Sequence, residues 1–393
     1  MKDLIWTSLH FGLDKGKVWF VPYWHNLLCC YSLETHMLER IEVIPDENDA
    51  SLLFDNMVII GEEIILIPAN STYVFFYNME SRVFSKITLP EQVTGYNKFC
   101  ACGIWKKNLF LFPGRYPMIM KINLETRESA YITDWSSKIE TEGEITCFQF
   151  NYLVLNEKVY LVSSLTNKIM IYDMEKESEE IIELGDKTDI FSTITYLEND
   201  TFLLTDEKGN CNIADFKNRA MTKYENDIPE FVTHRFEARR ACFSDALKYR
   251  EFVYVFPAQA NKVFKFSLID HSFKEMCWEN EYEAKRWDGE RYSLFQRDKD
   301  VIYGFDALKG VLLEIDLEHE KVCCEPISLE NIDDSKIFNI IEDKHKRQAV
   351  IRETSESYMG LRNLMMYIQA ENSALDYSQK SSVGKTIYQE IAD

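Results

Sequence analysis

Short apolar runs separated by small polar clusters recur along most of the chain. In KVYLVSSLTNKIMIYDME, which starts at Lys158, two apolar runs flank the turn-forming residues SSLTN. Runs rich in Val, Ile, Tyr and Phe that are bounded by Ser, Thr and Asn predict β-strands. Because the runs are nearly continuous rather than alternating, they predict strands that are buried on both faces.

The same pattern occurs seven times when the chain is aligned on the residue that ends the run before the turn. These anchor residues are Pro22, Pro68, Pro113, Ser163, Thr205, Pro257 and Asp306. Successive anchors lie 46, 45, 50, 42, 52 and 49 residues apart, so insertions fall only between the units. Ten residues after each anchor stands a small polar residue, followed by an apolar one; the polar residues are Ser32, Asn78, Asn123, Asp173, Asp215, Ser267 and Asp316.

Each unit contains four short strands, A to D. In the fourth unit these are TCFQFNYLVL, KVYLVS, KIMIYDM and SEEIIEL. Four-stranded units of about 47 residues predict an all-β fold, a seven-bladed β-propeller of antiparallel blades. Six or eight blades are the alternatives. The small polar residue that closes strand C is expected to satisfy backbone groups of the C–D turn.

The order of strand B, turn, strand C and a closing polar–apolar pair, as in KVYLVSSLTNKIMIYDME, resembles the repeat of the kelch family over about residues 3–330. The Gly-Gly pair that kelch units carry after strand B is replaced here by Pro or polar residues, and the kelch Trp is not regular. The Gly-His and Trp-Asp signatures of WD40 repeats are absent. The resemblance implies the propeller architecture, and it implies no function for individual residues.

The pattern divides the chain into a propeller over 1–334 and a C-terminal extension over 335–393. The extension begins with a possible hairpin, SKIFNIIEDKHKRQAVIRE, that either joins the closure of the ring or caps its edge. A helix is predicted over about 356–370, where apolar residues recur at helical spacing after Ser355, and a short helix ends the chain. The expectation is that this tail packs on the propeller; docking of a partner is the alternative.

Charge and composition narrow the function. The net charge of −21 disfavours general binding to nucleic acid or to anionic membrane surfaces. Ten Cys without a C-x-x-C spacing, and an N-terminus without a secretory pattern, predict reduced thiols and a cytoplasmic protein. Phosphate-binding, dinucleotide, zinc-protease and nucleophile-elbow motifs are missing. No cofactor and no metal are therefore expected, and the oligomeric state is left open.

Unusual loop residues point to one face of the propeller, the face formed by the B–C and D–A connections. Arg forks suit carboxylates or phosphates, and Tyr and Trp planes suit sugars or bases. The candidate ligand-binding residues are Tyr23, Trp24, Arg115, Tyr116, Arg235, Arg239, Arg240, Arg286, Trp287 and Arg291. The same B–C loops carry Asp206, Lys208 and Gln259. The competing interpretation is that these side chains pack on neighbouring loops and that the arginines pair with nearby acids.

Two functions from different classes follow. The first is a non-catalytic binding or scaffold propeller that recognises a protein partner or an anionic small ligand on this face. The second is an enzyme acting on a sugar or sugar acid at the channel mouth, with His25, His234 and Asp245 as candidate acid–base residues. The absence of the catalytic and cofactor-binding motifs favours the binding or scaffold propeller. Polar residues of the predicted A strands are expected to line a central channel, where they either bind ligand or close hydrogen-bond networks: Asp55, Asn56, Ser192, Ser244, Asp245 and Gln296.

Overall fold

The computed structural model consists of antiparallel four-stranded sheets that follow one another along the chain. It describes residues 8, 10–23, 25–47, 52–90, 97–116, 118–132, 139, 146–233, 242–276, 292–306, 309–328, 332 and 337. Within these residues the chain forms 28 strands in seven sheets, and each sheet is built from four consecutive strands.

Every blade contains one strand at each of the four positions A to D. The A strands are β1 (Phe11–Asp14), β5 (Phe54–Ile60), β9 (Phe99–Trp105), β13 (Phe148–Leu155), β17 (Phe191–Glu198), β21 (Phe243–Tyr249) and β25 (Gln296–Asp298). The B strands are β2 (Lys17–Phe20), β6 (Glu63–Pro68), β10 (Asn108–Pro113), β14 (Lys158–Ser163), β18 (Thr201–Asp206), β22 (Phe252–Pro257) and β26 (Val301–Asp306). The C strands are β3 (Leu27–Ser32), β7 (Tyr73–Asn78), β11 (Ile119–Asn123), β15 (Lys168–Asp173), β19 (Cys211–Asp215), β23 (Phe264–Ser267) and β27 (Val311–Asp316). The D strands are β4 (Met37–Val43), β8 (Val83–Thr88), β12 (Ser129–Ile132), β16 (Ser178–Glu183), β20 (Ala220–Tyr224), β24 (Phe273–Glu275) and β28 (Lys321–Pro326).

The sheets form a ring of seven blades with strand A innermost, because A strands of neighbouring blades contact one another, including β1 with β25. The predicted seven-bladed propeller of four-stranded antiparallel blades is therefore confirmed. Strand B is buried along nearly its whole length. In six of the seven blades its first residue is half-buried and the next five are buried. Such strands bury both faces, as their continuous apolar runs predict.

The core lies between the blades. Each pair of neighbours from blade one to blade seven shares one apolar cluster. Between blades four and five, for example, the rings of Tyr160 and Phe202 lie 5.0 Å apart. Burying a side chain of this size contributes about 1.5–3 kcal/mol, so the ring is stabilised mainly by contacts that only neighbouring blades provide.

The ring closes between blades seven and one through side chains. The ring of Phe305 in β26 lies 5.5 Å from that of Phe11 and 5.0 Å from that of Phe20. Nearby, Nδ1 of His36 lies 3.6 Å from a carboxylate oxygen of Glu325. Blade seven completes its sheet with its own four strands, so within the described residues closure uses no strand from the C-terminal extension.

The A–B/C–D face, formed by the A–B and C–D turns, is the same in every blade. The polar residue that ends strand C accepts backbone N–H groups of its own C–D turn, at 2.7–3.4 Å, in all seven blades. The apolar residue after it donates its N–H to a carbonyl at the A–B turn, at 2.8–3.1 Å, in all seven. The sequence prediction that the polar residue caps this turn is confirmed.

The chain divides into two compact units, Met1–Asp333 and Asp334–Asp393. Of the second unit the structure describes only Ile337. The hairpin and the two helices predicted over 335–393 therefore lie outside the described residues. In the part of the chain that the structure covers, no helix has the length and apolar character needed to cross a membrane.

Candidate functional site

The B–C/D–A face, formed by the B–C loops and the D–A connections, is tied together by backbone hydrogen bonds. Lys98 donates its N–H to the carbonyl of Ala69 in the preceding blade at 3.0 Å, and its own carbonyl accepts from Gly114 at 2.8 Å. The carbonyl of Gly114 accepts from Cys147 at 2.7 Å, and the carbonyl of Cys147 accepts from Ser164 at 3.0 Å. The loops of blades two to four are thus fixed by bonds that do not depend on their side chains, which leaves those side chains free to vary.

In blade one, the B–C loop contributes Tyr23 and His25. Tyr23 is half-buried, and its carbonyl accepts the N–H of Leu52 at 2.8 Å. His25 is only 5% exposed. Trp24 lies outside the described residues. Tyr23 is therefore accessible on this face in part, whereas the candidate acid–base residue His25 is buried.

In the B–C loop of blade three, Arg115 and Tyr116 differ in solvent exposure. Arg115 is half-buried on the face, and its N–H donates to the carbonyls of Asn97 and Lys98. Tyr116 is 1% exposed, and its ring stacks on that of Phe99 with centroids 4.7 Å apart. Burial raises the pKa of the Tyr116 hydroxyl. This placement favours packing over ligand contact for Tyr116.

The positively charged loops before blades six and seven fall outside the described residues. These are the residues predicted to form a cationic island: His234, Arg235, Arg239, Arg240, Arg286, Trp287 and Arg291. Their assignment to a ligand site stays a prediction.

The B–C loop of blade five is held by its own acid. Asp206 Oδ1 accepts the N–H groups of Lys208 and Asn210 at 2.9 and 3.0 Å, and Oδ2 lies 3.3 Å from Lys223 Nζ. In blade six, the amide of Gln259 is buried, and neither of its polar atoms has a hydrogen-bond partner within the described part of the chain. Asp206 thus shapes its loop, while Gln259 keeps unused hydrogen-bonding capacity.

Asp245, in the A strand of blade six, forms a bridge between blades. Its Oδ1 accepts the amide of Asn151 at 2.7 Å and the N–H of Ala246 at 2.8 Å, and its Oδ2 accepts the N–H of Phe295 at 2.7 Å. Asn151 belongs to blade four, so this bond passes along the inner side of blade five and joins two blades that are not neighbours. Burial raises the pKa of Asp245 to about 7, against these three hydrogen bonds, which lower it.

A second bridge joins blades two and four. Asn56 donates its amide to the hydroxyl of Tyr152 at 2.7 Å, and that hydroxyl lies 3.3 Å from Sγ of Cys102 in blade three. Burial raises the pKa of Tyr152 and brings that of Cys102 to about 11. These groups are neutral near pH 7, and their hydrogen bonds link three blades.

The remaining polar residues predicted for the A strands also lie in A strands. Ser192 accepts the N–H of Cys242 at 3.2 Å, and Ser244 donates to the carbonyl of Phe256 at 3.3 Å. Gln296 is exposed, and only the backbone of Asp55 is described. Ser192 and Ser244 thus take part in closed hydrogen-bond networks.

A buried lysine on the B–C/D–A face escaped sequence reasoning. Lys98 is 3% exposed, and its Nζ donates to the carbonyl of Asn70 at 3.0 Å. Burial lowers the pKa of Lys98, and the charge of Glu47 opposes that shift. Lys98 stands just before an apolar strand, and neither spacing nor composition distinguishes it from an exposed loop lysine. Within the described ranges, no group of three or more His, Cys, Asp or Glu residues is placed to hold a metal ion.

Comparison with known proteins supports the fold. No family model matches the chain, and no curated protein matches its sequence. Among solved structures, virginiamycin B lyase from Staphylococcus aureus is similar at 11% identity and TM-score 0.56, over 78% of this chain and 94% of that one. A streptogramin B lyase is similar at 12% identity and TM-score 0.56, over 82% and 95%. BamB from Moraxella catarrhalis is similar at 11% identity and TM-score 0.53, over 79% and 85%.

These similarities support a seven-bladed β-propeller and extend no further, because the identities are low. The similar structures named above are two lyases and BamB, and none of the three is a kelch protein. Fold alone does not assign a function to this chain.

Proposed function

We propose that the chain is a non-catalytic binding or scaffold propeller that recognises a protein partner on its B–C/D–A face. The observation that carries the proposal is the bridge between Asn151 and Asp245. An acid–base residue at the channel mouth needs a free carboxylate, and both oxygens of Asp245 are engaged in bonds that hold the ring. Propellers commonly use their loops to bind other proteins.

The backbone ladder of the B–C/D–A face supports the same conclusion. Loops that are fixed by main-chain bonds present their side chains with little loss of conformational entropy on binding, which favours recognition. Tyr23 and Arg115 are the half-buried candidates on this face, and Tyr and Arg are enriched among residues that dominate binding energy. We further propose that the chain is distantly related to kelch propellers and that it is cytoplasmic.

The enzyme alternative, acting on a sugar or sugar acid, draws its one favourable observation from the pKa of about 7 at Asp245. A carboxyl group with such a pKa suits proton transfer at neutral pH. Its hydrogen bonds to Asn151 in blade four and to Phe295, just before the A strand of blade seven, favour a structural role instead. An anionic small ligand bound on this face is the other alternative, and it predicts no discrete protein adduct in the experiment below.

Photocrosslinking from the two faces tests the proposal. The photoreactive amino acid p-benzoylphenylalanine is placed at Tyr23 or Arg115 in the full chain, and at Lys176 or Arg219 on the A–B/C–D face as matched positions. Irradiation in a lysate of the source cells is expected to give one discrete protein adduct from the first pair only. Equal adducts from both pairs, or turnover of glucuronate by the purified chain, would contradict the proposal.

A further inference from the structure

The seam between blades one and two holds a buried tyrosine that meets charged residues of the blade before it. This first seam contains Arg40 and Glu42 of β4 and Tyr77 of β7. The Tyr77 hydroxyl donates to Glu42 at 3.1 Å, and Arg40 Nη1 donates to the same hydroxyl at 3.4 Å. Arg82, in the C–D turn of blade two, donates its Nε to Glu42 at 2.7 Å. The acid and the hydroxyl of the first seam are therefore bonded by guanidinium groups of the chain itself.

The closing seam, between blades seven and one, repeats this arrangement. Three of its residues occupy the positions of first-seam residues: Tyr31 that of Tyr77, Glu325 that of Glu42, and His36 that of Arg82. The two tyrosines stand nine residues after their anchors, and the two glutamates pair with the leucine six residues after the anchor. The two turn residues are the left-handed residues of their C–D turns. His36 Nδ1 lies 3.6 Å from Glu325, as the Arg82 guanidinium lies beside its own glutamate.

The position of Arg40 holds a neutral residue in the closing seam. Arg40 pairs with Cys30 across β4 and β3. The equivalent pair across β28 and β27 is Cys323 with Glu314, since Cys30 and Glu314 both stand eight residues after their anchors. Among the residues that the structure describes, no cationic side chain pairs with Glu314. The closing seam therefore has two acids, Glu314 and Glu325, where the first seam has one acid and a guanidinium that binds its tyrosine.

The Tyr31 hydroxyl lies in the closing seam without a hydrogen bond. Its side chain is fully buried, and the hydroxyl has no partner within the described ranges. In β27, Leu313 packs in the cluster shared with blade six, so the alternation of the strand directs Glu314 to blade one. In β28, Val322 packs against the same cluster, which directs Glu325 to blade one as well. Burial first, and then the charges of Glu325 and Glu314, raise the pKa of Tyr31 to about 12. A buried polar group without a partner is costly, so the seam calls for a group that the described part of the chain does not supply.

The two acids of the closing seam are accessible from the outer rim of the ring. Glu325 lies in β28, the outermost strand of blade seven, and its side chain is 31% exposed. The side chain of His36 is 48% exposed, and Glu314 is half-buried. A guanidinium group fits here because its planar fork of N–H donors matches carboxylates, and because the equivalent tyrosine and glutamate of the first seam already hold one. An anion would be repelled by both acids.

We propose that the closing seam binds a guanidinium group from outside the chain, as presented by an arginine side chain. The bound group occupies the position that Arg40 occupies in the first seam, and it donates to Glu314 and Glu325. Glu325 then accepts the Tyr31 hydroxyl, as its counterpart does in the first seam. The site lies between the D strand of blade seven and blade one, outside the B–C loops, so the inference goes beyond the proposed function and does not depend on it.

The test is ¹⁹F NMR of the full chain with 3-fluorotyrosine at Tyr31, titrated with Nα-acetyl-arginine amide at constant ionic strength. The resonance is expected to shift saturably, because the fluorine stands next to the hydroxyl that gains a partner. Nα-acetyl-citrulline amide has nearly the same shape without the charge and should bind at least about tenfold more weakly. 3-Fluorotyrosine at Tyr172 is the matched control position, and its resonance should not move. The Tyr172 hydroxyl is also buried and unpartnered among the described residues, but there Lys121 already pairs with Glu177.

A variant supplies the guanidinium from within the chain. Cys323→Arg is expected to abolish binding of the arginine probe and to raise the melting temperature, because the two acids then have a partner as in the first seam. Cys323→Ser is the matched control and should bind the probe as the parent chain does. If the labelled chain does not fold, shifts in the melting temperature of the unlabelled chain with the two probes give the same comparison. No response to the arginine probe, an equal response to the citrulline probe, or unchanged binding in Cys323→Arg would overturn the inference.

Photocrosslinking distinguishes the two sources of the guanidinium. The photoreactive residue is placed at Cys324, which is exposed in β28, and the full chain is irradiated in a lysate of the source cells with and without Cys323→Arg. A discrete protein adduct that Cys323→Arg removes assigns the guanidinium to a partner protein. Binding of the arginine probe without such an adduct assigns it to a small guanidinium compound. These results are independent of the adducts from Tyr23 and Arg115, so the inference and the proposed function can fail separately.

Discussion

The two faces of the ring are organised differently. On the A–B/C–D face, a polar cap, a backbone bond to the A–B turn and a left-handed residue recur in all seven blades; the left-handed residues are His36, Arg82, Arg127, Glu177, Arg219, His271 and Glu320. On the B–C/D–A face, backbone bonds recur, but the side chains differ from blade to blade. The polar–apolar pair by which the sequence repeat is recognised thus lies on the A–B/C–D face.

This difference indicates where recognition belongs. A face whose side chains are needed for seven equivalent turns has little freedom to acquire a binding site. A face that is held by main-chain bonds can change its side chains without loss of the fold, and binding residues are usually found on such loops.

The largest expected effect concerns the bridge between blades four and six. Asp245→Ala leaves the amide of Asn151 and the N–H of Phe295 without their acceptor, so we expect the free energy of unfolding to fall by about 2–4 kcal/mol. Urea unfolding measures the change. Asp298→Ala, at an exposed acid in the A strand of blade seven, is the control and should be nearly neutral. A stable Asp245→Ala variant would return Asp245 to the list of candidate catalytic groups.

The pH dependence of stability tests the same group. In the folded chain the pKa of Asp245 is raised from 3.8 to about 7 by burial, so the folded state binds its proton more tightly than the unfolded state. Its contribution is full below about pH 4 and is lost as the pH rises to about 7. The wild-type chain should therefore lose stability relative to Asp245→Asn between these values in urea titrations. Parallel curves for the two proteins would contradict the assignment.

A pair of glycines compares the two faces directly. A Cβ on Gly114 in the B–C loop of blade three would lie 2.3 Å from the carbonyl oxygen of Asn97, whereas one on Gly61 in an A–B turn would meet nothing within 4 Å. Gly114→Ala should cost about 1–3 kcal/mol of unfolding free energy. Gly61→Asn should cost about 1 kcal/mol or less, because Asn tolerates the left-handed backbone at φ 58°. Equal effects in thermal unfolding would mean that the loops of the B–C/D–A face are not held as described.

The smallest expected effect is the loss of one cap. Asp173 Oδ1 accepts the N–H groups of Glu175 and Lys176, so Asp173→Ala should cost about 1 kcal/mol. Asp173→Asn keeps the acceptor and should retain most of the stability. In blade three, Asn123 Oδ1 accepts the equivalent N–H groups of Glu125 and Thr126. Thermal unfolding of the two variants measures the difference. Equal losses in Asp173→Asn and Asp173→Ala would show that the charge of Asp173, which meets Lys176 Nζ at 2.9 Å, matters more than its bonds to the backbone of the turn.

Sequence reasoning reached the parts of the molecule that local chemistry determines. Asp173 and its six equivalents were predicted to cap the C–D turn because a short polar side chain acts on its own turn, a few residues away. The bond between Asn151 and Asp245 could not be predicted, because it joins residues 94 apart in blades that are not neighbours. Nothing in the local sequence of either residue specifies such a partner.

The exposure of side chains in the loops could not be predicted from the sequence either. Tyr116 lies beside Arg115 in a loop and was predicted to meet a ligand, but its ring is buried against Phe99. Lys98 precedes a strand and is buried too. Their environments are set by contacts with residues 17 to 28 positions away in the sequence, Phe99 for Tyr116 and Asn70 for Lys98, which the local pattern does not specify.

The most direct test of a binding role for the B–C/D–A face is hydrogen exchange of the full chain, alone and with the partner captured by photocrosslinking from Tyr23. We expect slower exchange on binding in the B–C loops over 68–71, 113–116 and 257–260. We expect no change in the C–D turns over 79–82 and 174–177. Protection of the C–D turns with unchanged B–C loops would contradict a binding role for this face and move recognition to the opposite one.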